Sequence, residues 1–217
     1  MATALTRTEH YVSRKDGRIY YVKVGQGEPL LLLHPVGRSG WYWRKVIDQF
    51  AQRFTCHNVD LPGYDHSDIP PRQYSVEDYL QAIVDVLDDA EISQTSILGS
   101  HTGAMIAVLM SATYPDRVRK MVLDGVPYWN REGGQTYLDK HVSAGFTDTT
   151  SYDRPVPSLT SWEEASAGDP HLTRELWQKG EEIKQKSRYW SRLSYESICA
   201  FDMTSVGPRV KAPSLIL

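Results

Sequence analysis

The chemistry in this sequence concentrates in Thr95-Ser96-Ile97-Leu98-Gly99-Ser100-His101-Thr102-Gly103-Ala104-Met105. A short apolar run meets a Gly-x-x-x-Gly turn, and an apolar helical run begins at once. A strand delivered into a helix without a loop needs a sharp bend. Its apex is held in strained backbone, and glycines on either side keep neighbouring Cβ atoms out of the way. The apex residue is His101. An imidazole changes charge near neutral pH, so it can serve as a nucleophile or as a general base holding a water. Ser100 comes one residue early, where the bend is expected to turn its side chain away from the site.

The elements that must position this imidazole are legible on both sides of it. Leu30-Leu31-Leu32-Leu33 is a continuous apolar run, as a strand buried on both faces should be. Phe54 to Val59 and Val118 to Leu123 read the same way. Between them lie a helix carrying Trp43, Val46, Ile47 and Phe50 on one face, and a second helix started by Ser75. Asp78 completes a capping box there, and Val76, Tyr79, Leu80, Ile83, Val84 and Leu87 keep helical spacing. A third helix, apolar nearly all round, runs from Thr102 to about Tyr114. Alternation of strand and helix over residues 30–124 predicts a parallel sheet with right-handed crossovers. Ligands in such sheets sit at the carboxyl ends of the strands, where Val36, His101 and Asp124 fall. Upstream, residues 9–13 and 18–24 read as a hairpin turning at Lys15-Asp16-Gly17. Gly25-Gln26-Gly27 reads as a turn, because no helix follows it.

Gly99-Ser100-His101-Thr102-Gly103 resembles the Gly-x-Ser-x-Gly nucleophile elbow of the α/β-hydrolase family, with His in place of the nucleophile. Further segments carry the same resemblance. His34-Pro35-Val36-Gly37 looks like the family's His-Gly loop, with Pro35 where Gly is usual. Asp60-Leu61-Pro62-Gly63-Tyr64-Asp65-His66-Ser67 looks like its Asp-x-Pro-Gly-x-Gly-x-Ser segment, and Tyr114-Pro115-Asp116-Arg117-Val118 precedes a typical sixth strand. The resemblance implies an oxyanion hole from the Val36 and Thr102 backbone N–H groups. It implies a catalytic His101, with Asp124 as the carboxylate that orients it. His34 and Trp129 are candidate substrate-binding residues, with loop packing and cap packing as their plainer roles. Asp60 and His66 read as structural.

The implied fold class is α/β: a mostly parallel sheet flanked by helices, an α/β-hydrolase core that is C-terminally truncated, with a helical cap insertion. The expected boundaries are 1–125 for the core, 126–205 for the cap and 206–217 for a return strand. The cap region is rich in Gly, Pro, Ser, Thr and aromatics, with helical patterns near 134–144, 161–167, 170–187 and 192–204. Lys211-Ala212-Pro213-Ser214-Leu215-Ile216-Leu217 resembles the strand where the family's sheet resumes. Complete members carry their catalytic Asp and His beyond it, so the sequence is expected to be a piece of a longer protein. An unpaired apolar edge at Ser214–Leu217 is expected to associate, with homodimerisation through it as one outcome.

The 217 residues carry a formal net charge of −3, are 41% hydrophobic and 24% charged, and include two cysteines. That balance gives no reason to expect nucleic acid or an anionic membrane as partner. No apolar run approaches membrane-spanning length, and no signal peptide is visible, so a cytoplasmic location is expected with Cys56 and Cys199 reduced. The seven histidines show no metal-ligand spacing, and convergence of His34, His66 and His101 is the one arrangement that would supply a metal site. No metal and no cofactor is expected, and the partner is a small-molecule substrate. Three functions stay open. The first is a hydrolase acting on a small, fairly apolar ester or related carbon substrate in a capped pocket. The second is a lyase or cofactor-free oxygenase using a histidine base. The third is a ligand-binding member without turnover.

Overall fold

The computed structural model describes residues 5–142 and 161–217. Seven strands form one sheet in the order β1-β2-β4-β3-β5-β6-β7. β1 (Arg7–Arg14) and β2 (Gly17–Val24) make the expected hairpin, and β2 pairs antiparallel with β4 (Phe54–Val59). From there the sheet is parallel, through β3 (Glu28–Leu33), β5 (Thr95–Ser100), β6 (Val118–Asp124) and β7 (Ser214–Ile216). Leu31, Leu32 and Leu33 are fully buried, as a central strand covered on both faces requires.

Between β3 and β4 the expected single helix is broken. Gly40–Lys45 is a tight 3-10 segment, and α1 is only Ile47–Phe50. Val46, at φ −124°, interrupts the helical run. Ser39 caps the first piece by accepting from the Trp41 N–H. Trp43 and Ile47 are still buried on the sheet, so the apolar face is kept although the helix is not.

α2 (Val76–Asp89) starts at Ser75 with the predicted capping box to Asp78. α3 (Thr102–Thr113) packs against β5, β6 and α2, with Gly103 through Ser111 buried without exception. The tight fit of β5 and α3 depends on two glycines. A Cβ on Gly99 would stand 2.5 Å from Gly103 C, and one on Gly103 would stand 2.2 Å from Leu33 O.

α4 (Arg131–Tyr137) continues as a π-helical turn through Val142, and α5 (Trp162–Gly168), α6 (Arg174–Lys186) and α7 (Arg188–Ala200) follow before β7. These agree with the four helical patterns to within a few residues. Phe146 and Tyr152, read among the cap aromatics, lie outside the described residues. α7 is bonded to the core through a buried polar cluster. Tyr64 Oη donates to Ser194 Oγ at 2.9 Å, Trp190 Nε1 donates to Tyr79 Oη at 2.7 Å, and Tyr79 Oη and Ser194 Oγ are 2.8 Å apart. Each of these three hydroxyls finds a partner, which offsets the desolvation cost of placing it there. No helix among the described residues is long and apolar enough to cross a membrane.

Candidate active site

β5 runs directly into α3 through His101, whose backbone is at φ 48°, ψ −105°. A β-carbon residue in that region is strained, and the packed strand and helix on either side impose it. The His101 N–H donates to the Asp124 carbonyl at 2.8 Å, which locks the bend to the end of β6. No side chain caps the first turn of α3. The imidazole lies against Gly125, where a Cβ would stand 2.8 Å from Cε1. Gly125 is at φ +58°, so both its backbone and its missing side chain serve this contact.

Ser100 departs from the sequence reading. It is fully buried, yet its hydroxyl is central to the polar groups of the site. Ser100 Oγ donates to Asp124 Oδ2 at 2.8 Å, lies 3.1 Å from His101 Nδ1, and is 3.4 Å from Tyr42 Oη. Ser100 and Asp124 are register partners at the ends of neighbouring parallel strands, which explains their approach. A hydroxyl has one proton. With that proton on the carboxylate, Ser100 can only accept from His101, so Nδ1 carries the imidazole hydrogen. The lone pair then belongs to Nε2. This tautomer follows from the bonding network, as tautomers do when hydrogens are placed by their partners. Asp124 therefore reaches His101 through a serine, and direct contact between the two side chains is not what orients the ring. Ser100 and Tyr42 are the residues missed from sequence. Neither contact had a signal in the sequence: the register of β5 against β6 sets the first and loop packing the second.

Val36 and Thr102 lie side by side. The Val36 N–H points at Thr102 Oγ1 across 3.4 Å, a long contact, and Thr102 N sits at the open start of α3. His34 is held as a loop anchor, the plainer of its two expected roles. It is fully buried, Nδ1 is 2.8 Å from the Pro35 carbonyl, and Nε2 accepts from the Leu61 N–H at 2.9 Å. Both ring nitrogens are thereby used. Burial lowers its pKa and holds it neutral. Trp129 likewise spans helices and core: its Nε1 points to the Ile198 carbonyl at 3.4 Å, and its ring packs on Tyr137 at 5.0 Å.

The three candidate imidazoles keep separate partners. His66 Nδ1 is 2.9 Å from Asp60 Oδ2, and that hydrogen bond raises its pKa. Asp60, Asp65 and His66 bring ligand-type atoms within 4.8 Å of one another. Asp60 Oδ1 already accepts from Gly40 N at 2.6 Å, and Lys186 lies 3.6 Å from Asp65 Oδ1. The group thus balances its own charge as a loop clasp. The ring of His101 is exposed, whereas a covered ring was expected.

Residues 28–197 match the model of the alpha/beta hydrolase fold family, and the chain belongs to that family. Among its relatives, Epoxide hydrolase 4 of Mus musculus is 34% identical over 156 residues, covering 69% of this chain and 43% of that protein. The (E)-2-((N-methylformamido)methylene)succinate hydrolase of Acinetobacter baylyi is 29% identical over 108 residues, covering 49% of this chain and 41% of that protein. The chain thus spans less than half the length of these two curated relatives. The solved enol-lactonase of Burkholderia xenovorans superposes with a TM-score of 0.74 over 95% of this chain and 80% of that one, at 16% identity, a likeness of fold alone.

Proposed function

We propose that the chain is a hydrolase acting on a small, fairly apolar ester or related carbon substrate, with His101 as general base toward water. The observation that carries this reading is the Ser100 hydroxyl between Asp124 and His101. It leaves the lone pair on Nε2, and the exposed ring gives that nitrogen access to water. Water attacks the carbonyl carbon while its proton passes to Nε2. The developing oxyanion is held by the Val36 and Thr102 N–H groups; a substrate oxygen would replace the long contact of the Val36 N–H to the Thr102 hydroxyl. Collapse expels the alkoxide, which takes the proton back from Nε2. Asp124, acting through Ser100, stabilises the imidazolium that forms in between. The helices between β6 and β7 serve as the cap that shapes the substrate. The two hydrolases named above as relatives support the reaction class.

Hydrolysis of p-nitrophenyl acetate and butyrate by the wild type and by His101→Ala tests the reading. Turnover should fall to background in the variant. Equal rates would remove His101 from the reaction. A serine-directed fluorophosphonate should not label the protein, because Ser100 is buried and its proton is held by Asp124.

A further inference from the structure

A cavity of about 270 Å³ lies between the Arg38–Arg44 segment and α6. Arg38 and Arg44 both line it. Arg44 lies flat over the Trp41 ring, with its guanidinium carbon 3.5 Å from the centroid. Its Nε is buried and has no hydrogen-bond partner. Nη1 of the same guanidinium donates to the Trp41 carbonyl at 3.4 Å, which holds the group in place at the cavity wall.

The charges around the cavity do not cancel among the described residues. Lys184 lines the cavity beside Glu181, and these two pair with each other. Asp169, whose field reaches Arg44, is itself paired with Lys45 at 2.7 Å. No carboxylate pairs with Arg38 or Arg44 among the described residues. Burial and the repulsion of Arg38 lower the Arg44 pKa, as expected of two guanidinium groups facing one space without an anion. The remaining walls are apolar: Trp41, Leu172, Leu176 and Trp177.

The geometry points to a binding site for an organic carboxylate carrying an apolar body, its carboxylate held by Arg38 and Arg44 and its body packed against Trp41, Leu176 and Trp177. The guanidinium fork matches a carboxylate with two parallel hydrogen bonds, and the stacked indole fixes the plane of that fork. The volume suits a small ligand. The cavity shares Tyr42 with the His101 site, since the Tyr42 hydroxyl is 3.4 Å from Ser100 Oγ. Binding here does not depend on turnover at His101, so it stands or falls independently of the hydrolase reading.

Titration calorimetry with 4-phenylbutyrate, its neutral amide and inorganic phosphate tests the site directly on the 217-residue chain. The acid should bind at least tenfold more tightly than the amide or phosphate. Arg38→Gln and Arg44→Gln should each weaken the acid by tenfold or more at unchanged circular dichroism. Arg44→Lys, which keeps the charge and loses the fork, should fall between. Absence of binding by the acid, equal binding of acid and amide, or retention of affinity in both glutamine variants would overturn the site. Phosphate binding as tightly as the acid would overturn the carboxylate class.

Discussion

Ser100 Oγ donates to Asp124 Oδ2 across 2.8 Å, joining the last residues of two parallel strands. The same oxygen lies 3.1 Å from His101 Nδ1. One buried hydroxyl thus decides which nitrogen of an exposed imidazole keeps its lone pair.

Removing that hydroxyl should impair chemistry more than binding. Ser100→Ala leaves His101 Nδ1 without its acceptor, so kcat should fall about 10- to 100-fold with KM little changed, a part of what general-base catalysis supplies. Asp124→Asn should act in the same direction and shift the pH profile of kcat. An unchanged pH profile in both variants would reduce the bridge to packing.

Gly125→Ala should separate the ring from its support. The new methyl would stand 2.8 Å from His101 Cε1, and φ +58° adds strain worth about 1 kcal/mol. Activity should fall well beyond what that loss of stability explains. Gly103→Ala is the structural counterpart, because its methyl would meet the Leu33 carbonyl at 2.2 Å. Denaturant unfolding should show a loss of about 3 kcal/mol.

Stability should decline on acidification because of buried histidines. Burial lowers the His57 pKa from 6.5 to about 4, and that of His34 in the same direction. In the window between about 4 and 6.5 the unfolded chain binds more protons, so stability is full above 6.5 and is lost as pH falls toward 4. The His57 part amounts to roughly 3 kcal/mol at about 1.4 kcal/mol per unit. His66 works oppositely. Asp60 raises its pKa, so its contribution is present below 6.5 and fades as pH rises through the folded value. It is half-exposed and contributes little. Thermal melts of the wild type and His57→Gln from pH 7.5 to 4.5 should converge at low pH. Parallel curves would count against the assignment.

The β7 edge should drive self-association of the 217-residue chain. Leu215, Ile216 and Leu217 are 56%, 66% and 68% exposed, and among the described residues β7 pairs with β6 alone. Light scattering after size exclusion should show dimers that Leu215→Lys and Ile216→Lys dissolve. A monodisperse monomer at high concentration would remove this expectation.

The sequence by itself determined the layered sheet. Apolar runs at 30–33, 54–59 and 118–123, the Ser75–Asp78 capping box and the glycines around His101 act through local sterics and burial, which spacing records. The bend at His101 was legible for the same reason. The tertiary structure alone decided the partners. Ser100 meets Asp124 because strand register sets two chain segments 24 residues apart side by side, and one hydroxyl proton then fixes the ring's tautomer. His34 became an anchor because Pro35 and Leu61 took both its nitrogens. Arg38 and Arg44 face α6 across a cavity for the same kind of reason. Hydrogen bonds and charge pairs depend on where side chains from distant segments come to rest, and residue spacing along the chain carries no record of that.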